Sequence, residues 1–207
     1  MFGSKNCFVD NVSAGQLHRT VLQPNFAGEE LAKYPVLNVS GSPLFSRKSM
    51  ATTPVQSTFF NGAPGTYTGN YDADGKLGDF FMVITGIKIN VGNIVVTNTH
   101  LDFAKICMGT FFTLKINNKE WWKRIPGHLL ITTPQVQIFS NITPGATETW
   151  TRIVDNGMNF GTVIPYAPNT KFELIMDPDT TILAAVAAAI NFDALVYGPR
   201  WYPQSAG

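Results

Sequence analysis

Apolar side chains recur along this chain at every second position, in short runs that Pro, Gly, Asn or Asp interrupt. The clearest case is "TFFTLKI", Thr110–Ile116. It sets Phe112, Leu114 and Ile116 on one face and Phe111, Thr113 and Lys115 on the other. That period of two predicts a half-buried strand. "VQSTFF" ends at the turn dipeptide Asn61-Gly62. "DFFMVITGIKIN", Asp79–Asn90, is β-branched and aromatic, with Phe81, Val83 and Thr85 alternating against Met82 and Ile84. "KEWWKRI", "HLLIT", "VQIFS", "TWTRIV", "TVIPY", "KFELIM" and "NFDALVY" follow, each short and bounded by turn residues. Many short strands at this spacing predict a sandwich or barrel rather than βαβ units.

The pattern fails at the start. Residues 1–54 are rich in Ser, Asn, Gly and Pro, and their only helix-like piece, Gly28–Tyr34, is bounded by Pro35. A lead-in of this length is expected to be an extended N-terminal arm packed on the body or on a neighbour. The expected organisation is therefore an arm at 1–54 and one β domain at 55–207. Within the domain, Asn98 or Thr99 could cap a short helix that buries Leu101, Ala104 and Met108 and stops at Gly109. An irregular strand is the alternative. The Ala-rich segment 182–190 favours helix by propensity. The alternation of Ile190, Phe192, Ala194 and Val196 nevertheless predicts a last strand from about Ala187, with 180–186 left open.

Between "TFFTLKI" and "KEWWKRI", Asn117-Asn118 predicts a two-residue type I′ turn, because Asn tolerates positive φ. Residue 119 then pairs with Ile116 and residue 121 with Leu114. Directly paired residues share a face, so Trp121 is expected in the core and Trp122 outside, beside Lys123 and Arg124. Three readings of an outward Trp stay open: a subunit contact, a sugar-stacking surface, or a ring covered by a Lys or Arg stem. The same reasoning applies to "YGPRWYPQ". The interface candidates are Trp122, Arg124, Arg200, Trp201 and Tyr202.

Composition sharpens this. The chain has 207 residues, long enough for one sandwich with its own core. Only 14% are charged, against about 25% in ordinary globular chains. Either much of the surface is covered by neighbours, or Thr and Asn supply its polarity. The formal charge is +1 with no basic block, which argues against a cationic arm neutralising nucleic acid. Cys7 and Cys107 are the two cysteines, enough for one disulfide but for neither a disulfide framework nor a zinc site. The N-terminal stretch has no apolar run of signal-peptide length. The longest apolar run, Ile182–Ile190, is far short of the about 20 residues a membrane helix needs. Without such a signal, the sequons at Asn11, Asn38 and Asn141 read as chance matches.

No catalytic signature stands out. His18, His100 and His128 lie far apart, and no nucleophile elbow, phosphate loop or dinucleotide fingerprint occurs. Cys107, between Ile106 and Met108, reads as buried rather than nucleophilic. "NYDADGKLGDFF" matches the start of a calcium loop at Asn70, Asp72, Asp74 and Gly75, but Phe81 stands where the bidentate glutamate belongs. A solvated turn explains Asp72 and Asp74, and calcium is expected to be dispensable. No enzyme activity and no cofactor are expected.

The layout as a whole resembles jelly-roll capsid proteins of tailless icosahedral phages, including those with an internal membrane. The resemblance runs over residues 55–202. It rests on a strand ending "VITGIKI", the hairpin "FTLKINNKEWWKRIP", then "NG…VIPYAPNTKFELIM", and the terminal "NFDALVYGPRWY". It implies a single eight-stranded antiparallel jelly roll, since the chain is too short for a double one. It also implies a structural virion protein, with copies of itself and other capsid proteins as partners and a shell whose inner face meets lipid or protein rather than genome. A receptor- or carbohydrate-binding spike module with the same sandwich is the alternative.

Overall fold

In the computed structural model the described residues are 13–38, 42–50, 53, 55–65, 68–72, 75–93, 100–131, 135–138, 149–152, 160–183 and 190–204. They are mostly β. The strands are β1 (Val36–Asn38), β2 (Leu44–Met50), β3 (Ser57–Phe59), β4 (Phe81–Asn93), β5 (Thr110–Ile116), β6 (Lys119–Pro126), β7 (Gln135–Ile138), β8 (Thr149–Arg152), β9 (Phe160–Tyr166), β10 (Phe172–Pro178), β11 (Ile190–Tyr197) and β12 (Arg200–Tyr202). Every ladder between them is antiparallel.

Two sheets make a sandwich. One is ordered β1-β12-β4-β11-β2, with β9 on the far edge of β4; the other is ordered β3-β10-β5-β6. Met82 pairs with both Arg200 and Tyr166, so β12 shares an edge of β4 with β11, and β9 takes the other. The chain crosses repeatedly between layers. β2, β4, β9 and β11 lie in the first sheet, and β3, β5, β6 and β10 in the second. The two sheets hold ten strands among the described residues, not the eight expected, because the short β1 and β12 add to the first. Among the described residues β7 and β8 pair only with each other, as a separate ribbon between β6 and β9.

The inward faces follow the period of two. Phe112, Leu114 and Ile116 of β5 are buried against Phe172, Leu174 and Met176 of β10; Phe192, Ala194 and Val196 fill the facing sheet. The Asn117-Asn118 turn has φ of 50° and 63°, the left-handed pair that a type I′ turn requires. β4 reads as almost continuously apolar because both its faces are covered. Met82 and Ile84 enter the sandwich core, while Phe81 and Val83 face a second cluster outside.

That second cluster corrects the expected arm. Residues 36–38 and 44–50 are strands of the sandwich, so the body begins before Val55. The β2 sequence "LFSRKSM" hid its strand because Ser46 takes an inward position, its hydroxyl accepting from the Phe60 amide at 2.9 Å. Upstream lie α1 (Ala14–Leu17), a π-helical turn (His18–Leu22), α2 (Gln23–Asn25) and α3 (Gly28–Leu31). Ser13 and Gln16 form a capping box: the Ser13 hydroxyl accepts from Gln16 N at 3.2 Å, and Ser13 N donates to the Gln16 side chain at 2.9 Å. Leu17, Leu22 and Leu31 bury against Phe81, Val83 and Trp201. A fully buried leucine contributes about 1.5–3 kcal/mol, so this layer belongs to the folded body.

The helix foreseen near residue 100 is α4 (His100–Gly109), and it does stop at Gly109. Its buried positions include Ile106 and Cys107, whereas Met108, expected inside, is 65% exposed. "HLLIT" is not a strand: Gly127–Leu129 form a 3-10 turn. Among the described residues no helix is long and apolar enough to cross a membrane.

Candidate interaction surface

The β6 edge carries the aromatic pair. Its ladder with β5 starts as expected, with Ile116 opposite Lys119 and Lys115 opposite Glu120. The register then slips, and Leu114 faces Trp122 rather than Trp121. A bulge adds one residue to β6, and one extra residue inverts the side chains that follow it up to the next slip. Trp122 is therefore the buried one, and Trp121 is half-buried against the core. The expected assignment is reversed. Lys119 Nζ sits 4.7 Å from the Trp121 ring centroid, the covered-ring arrangement. A second slip lies between Leu114 and Phe112, where Arg124 adopts φ 50°. Its amide donates to Thr113 Oγ1 at 3.3 Å; its guanidinium meets Asp177 Oδ2 at 2.9 Å and lies 4.7 Å from the Phe111 ring. Lys119, Glu120, Lys123 and Arg124 are exposed along this edge. Bulges and alternating charge are how natural sheets discourage pairing with another strand.

The C-terminal candidates are largely interior. Arg200 and Trp201 are buried. The Arg200 guanidinium donates to the Ser42 carbonyl and to Tyr202 Oη at 3.4 Å, and it lies 5.7 Å from the Phe80 ring. Tyr202 is half-buried, 5.3 Å from Phe80. Trp201 lies under the N-terminal layer, 5.3 Å from His18. Of the five interface candidates, Trp122, Arg200 and Trp201 are structural. Arg124 remains at the surface, and Tyr202 partly so.

Sequence reasoning missed two surfaces. One is edge strand β1, where Val36 and Leu37 are 48% and 42% exposed. The other is the N-terminal layer, which holds a groove of about 540 Å³ between the His18–Asn25 side and the 28–35 turn. Leu31 and Trp201 contribute its apolar lining, and His18, Arg19, Gln23 and Tyr34 its polar groups. Tyr34 leads away from it: its hydroxyl donates to Asp79 Oδ1 at 2.9 Å, and burial together with that carboxylate holds the phenol above its ordinary value. The signal for the layer was present as the Ser13/Gln16 cap followed by Leu17, Val21 and Leu22.

The remaining candidate chemistry is dispersed. Asn70, first position of the calcium-loop reading, has both ends of its amide engaged: Oδ1 accepts from Phe45 N at 2.6 Å, and Nδ2 donates to Pro43 O at 3.0 Å. It ties the Tyr71 segment to β2. Asp72 is exposed, and Asp74 lies outside the described residues. Among the described residues no three His, Cys, Asp or Glu side chains gather as a metal centre. Burial pushes the Cys107 thiol up to about 12, the environment of an inert thiol. Cys7, its possible disulfide partner, lies outside the described residues. Comparison of the chain with protein-family models, curated proteins and solved structures finds no match.

Proposed function

We propose that the sandwich is a jelly roll and that the chain is a structural virion protein assembling into an icosahedral shell through lateral contacts. The observation that carries the reading is strand order. β2-β11-β4-β9 faces β3-β10-β5-β6, the order in which a hairpin of eight strands rolls into two sheets with paired Greek keys. On this reading β1 and β12 extend one sheet, and the β7–β8 ribbon is an insertion between β6 and β9. Closure into two facing sheets leaves few free edges, and these differ in character. β6 is bulged and charged; β1 is uncharged and presents Val36 and Leu37. An apolar edge suits contact with a neighbour. The low charge of the whole chain agrees with extensive coverage in an assembly. The partners on this reading are copies of the chain and other shell proteins, in the virion, with no catalysis.

The test is assembly of the purified chain. Light scattering across a concentration series should show growth to a defined oligomer, and negative-stain images should show symmetric particles or shells. Leu37→Lys should shift the chain towards monomer without lowering its melting temperature. A strict monomer at all concentrations that binds defined glycans on an array would instead support the carbohydrate-binding spike module.

A further inference from the structure

We propose that the groove in the N-terminal layer binds a small amphipathic carboxylate, with its apolar body on Leu31 and Trp201 and its head at Arg19. The groove's volume, about 540 Å³, falls in the range of about 300–1,000 Å³ usual for small-molecule sites. Leu31 and Trp201 are themselves buried, so they offer a fixed apolar floor rather than mobile surface. Arg19 and His18 line the groove together with the Gln23 amide, and among the described residues no Asp or Glu does. The neighbouring cavity of about 300 Å³ differs: Glu30 and Lys33 both line it, which gives no preferred sign. Charge complementarity thus selects an anion for the first groove only. One fork-shaped guanidinium beside one amide matches a carboxylate's two oxygens. A phosphate dianion would call for more donors.

Shape points the same way. Two lining positions are glycines. A Cβ at Gly28 would meet nothing within 4 Å, and one at Gly15 only the Ser13 hydroxyl at 3.9 Å. Among the described residues no side chain fills the groove there, and the backbone at Gly28 does not require glycine. The π-helical turn His18–Leu22 carries the polar end. Such turns are rare insertions that recur at functional sites.

The experiment is titration calorimetry with octanoate and octanol as probes on the full chain. Wild type should bind octanoate saturably at one site, and octanol about tenfold or more weaker. Arg19→Gln should weaken octanoate by about tenfold or more, the usual effect of losing one charge-assisted hydrogen bond, and leave octanol unchanged. Gly28→Leu should abolish binding of both by filling the groove. If Gly28→Leu lowers the melting temperature, Ala32→Leu, at another exposed position on the groove, serves as the blocking variant. Arg124→Gln, on the β6 edge, is the control and should bind like wild type. The proposal is overturned by any of three results: no saturable binding to wild type, octanoate affinity insensitive to Arg19→Gln, or full binding in a folded blocking variant.

Discussion

Replacing each tryptophan of the β6 pair in turn separates the bulged register from a regular one. Trp122 is 9% exposed, belongs to the main core and faces Leu114 across the ladder. Trp122→Ala removes a bicyclic side chain from a packed interior, where aromatic-to-alanine changes cost about 3–5 kcal/mol. For a chain of this length about 1 kcal/mol moves the melting temperature by about 2–4 °C, so the expected fall is about 6–20 °C. Trp121 is half-buried, with Lys119 over its face. Its loss removes a partial burial and a cation–π contact of about 0.5–1 kcal/mol, and Trp121→Ala should fall by only a few degrees. Guanidinium unfolding of both variants gives the comparison in free energy, provided the slope with denaturant is unchanged. If Trp121→Ala is the more damaging, β6 pairs without a bulge at Trp121 and the account of this edge is wrong. Equal and small effects would place neither ring in the core.

Three further outcomes are expected. Asn118→Gly should match or exceed wild-type stability, whereas Asn118→Val should lose about 1–2 kcal/mol, because φ of 63° is costly for a β-branched residue; thermal melts of both variants decide it. Gly198, at φ +150°, sits where a Cβ would overlap the Val83 carbonyl, so Gly198→Ala should separate β12 from β4 and lower the melting temperature sharply; a wild-type melt would show that the joint yields. Burial raises the Cys107 thiol from 9.0 and the Tyr166 phenol from 10.0, each to about 12. Both groups hold their protons more tightly folded than unfolded, so the stability they contribute is intact below about pH 9 and is lost as pH rises towards 12. Melting temperatures flat from pH 7 to 9 and falling above would agree with this, and Cys107 should react with a thiol reagent at pH 8 only after denaturant is added.

What the sequence revealed depended on whether a residue's role was local. The alternation of Phe112, Leu114 and Ile116, the positive-φ turn at Asn117-Asn118, the stop at Gly109 and the last long strand with Phe192, Ala194 and Val196 all follow from neighbours in the chain, and all were legible. Trp121 and Trp122 were misassigned because a bulge leaves no mark in composition: "KEWWKRI" reads the same with or without one. The slip that turns Trp122 inward falls between Lys115 and Leu114, and a second follows at Arg124, with its positive φ, its bond to Thr113 and its ion pair with Asp177. Arg200 and Trp201 looked like surface hot spots because polar and aromatic residues cluster there. Trp201 is buried by a layer drawn from residues 14–34, more than 160 positions away along the chain, and Arg200 packs against Ser42, Phe80 and Tyr202. β2 was hidden for a related reason. Ser46 is inward, satisfied by a backbone amide from β3's end, and the outward Arg47 pairs with Asp193 at 2.6 Å across the ladder.

The edges of the first sheet bear on how copies would meet. β2 is covered by the chain itself: Arg47 N donates to Thr68 O at 2.7 Å, Asn70 N to Phe45 O at 3.2 Å, and Ser46 bridges Gly69. Beside it, β1 pairs with β12 and presents Val36 and Leu37 in a stretch with no charge. If β1 met β1 of a second copy, the contact would be isologous and would close as a dimer. A shell needs contacts between unlike surfaces, which continue until a symmetry closes them. On the assembly reading at least one contact therefore joins unlike surfaces, and β1 against a different patch is one such contact. The apolar candidate at the opposite edge of the same sheet is Val163 on β9, 48% exposed. Leu37→Lys and Val163→Lys should then each stop growth, and mixing the two single variants should not restore full particles, because each keeps only one working edge. A self-paired β1 edge acting as the sole contact predicts otherwise: Val163→Lys would assemble like wild type, and the largest species of either chain would be a dimer.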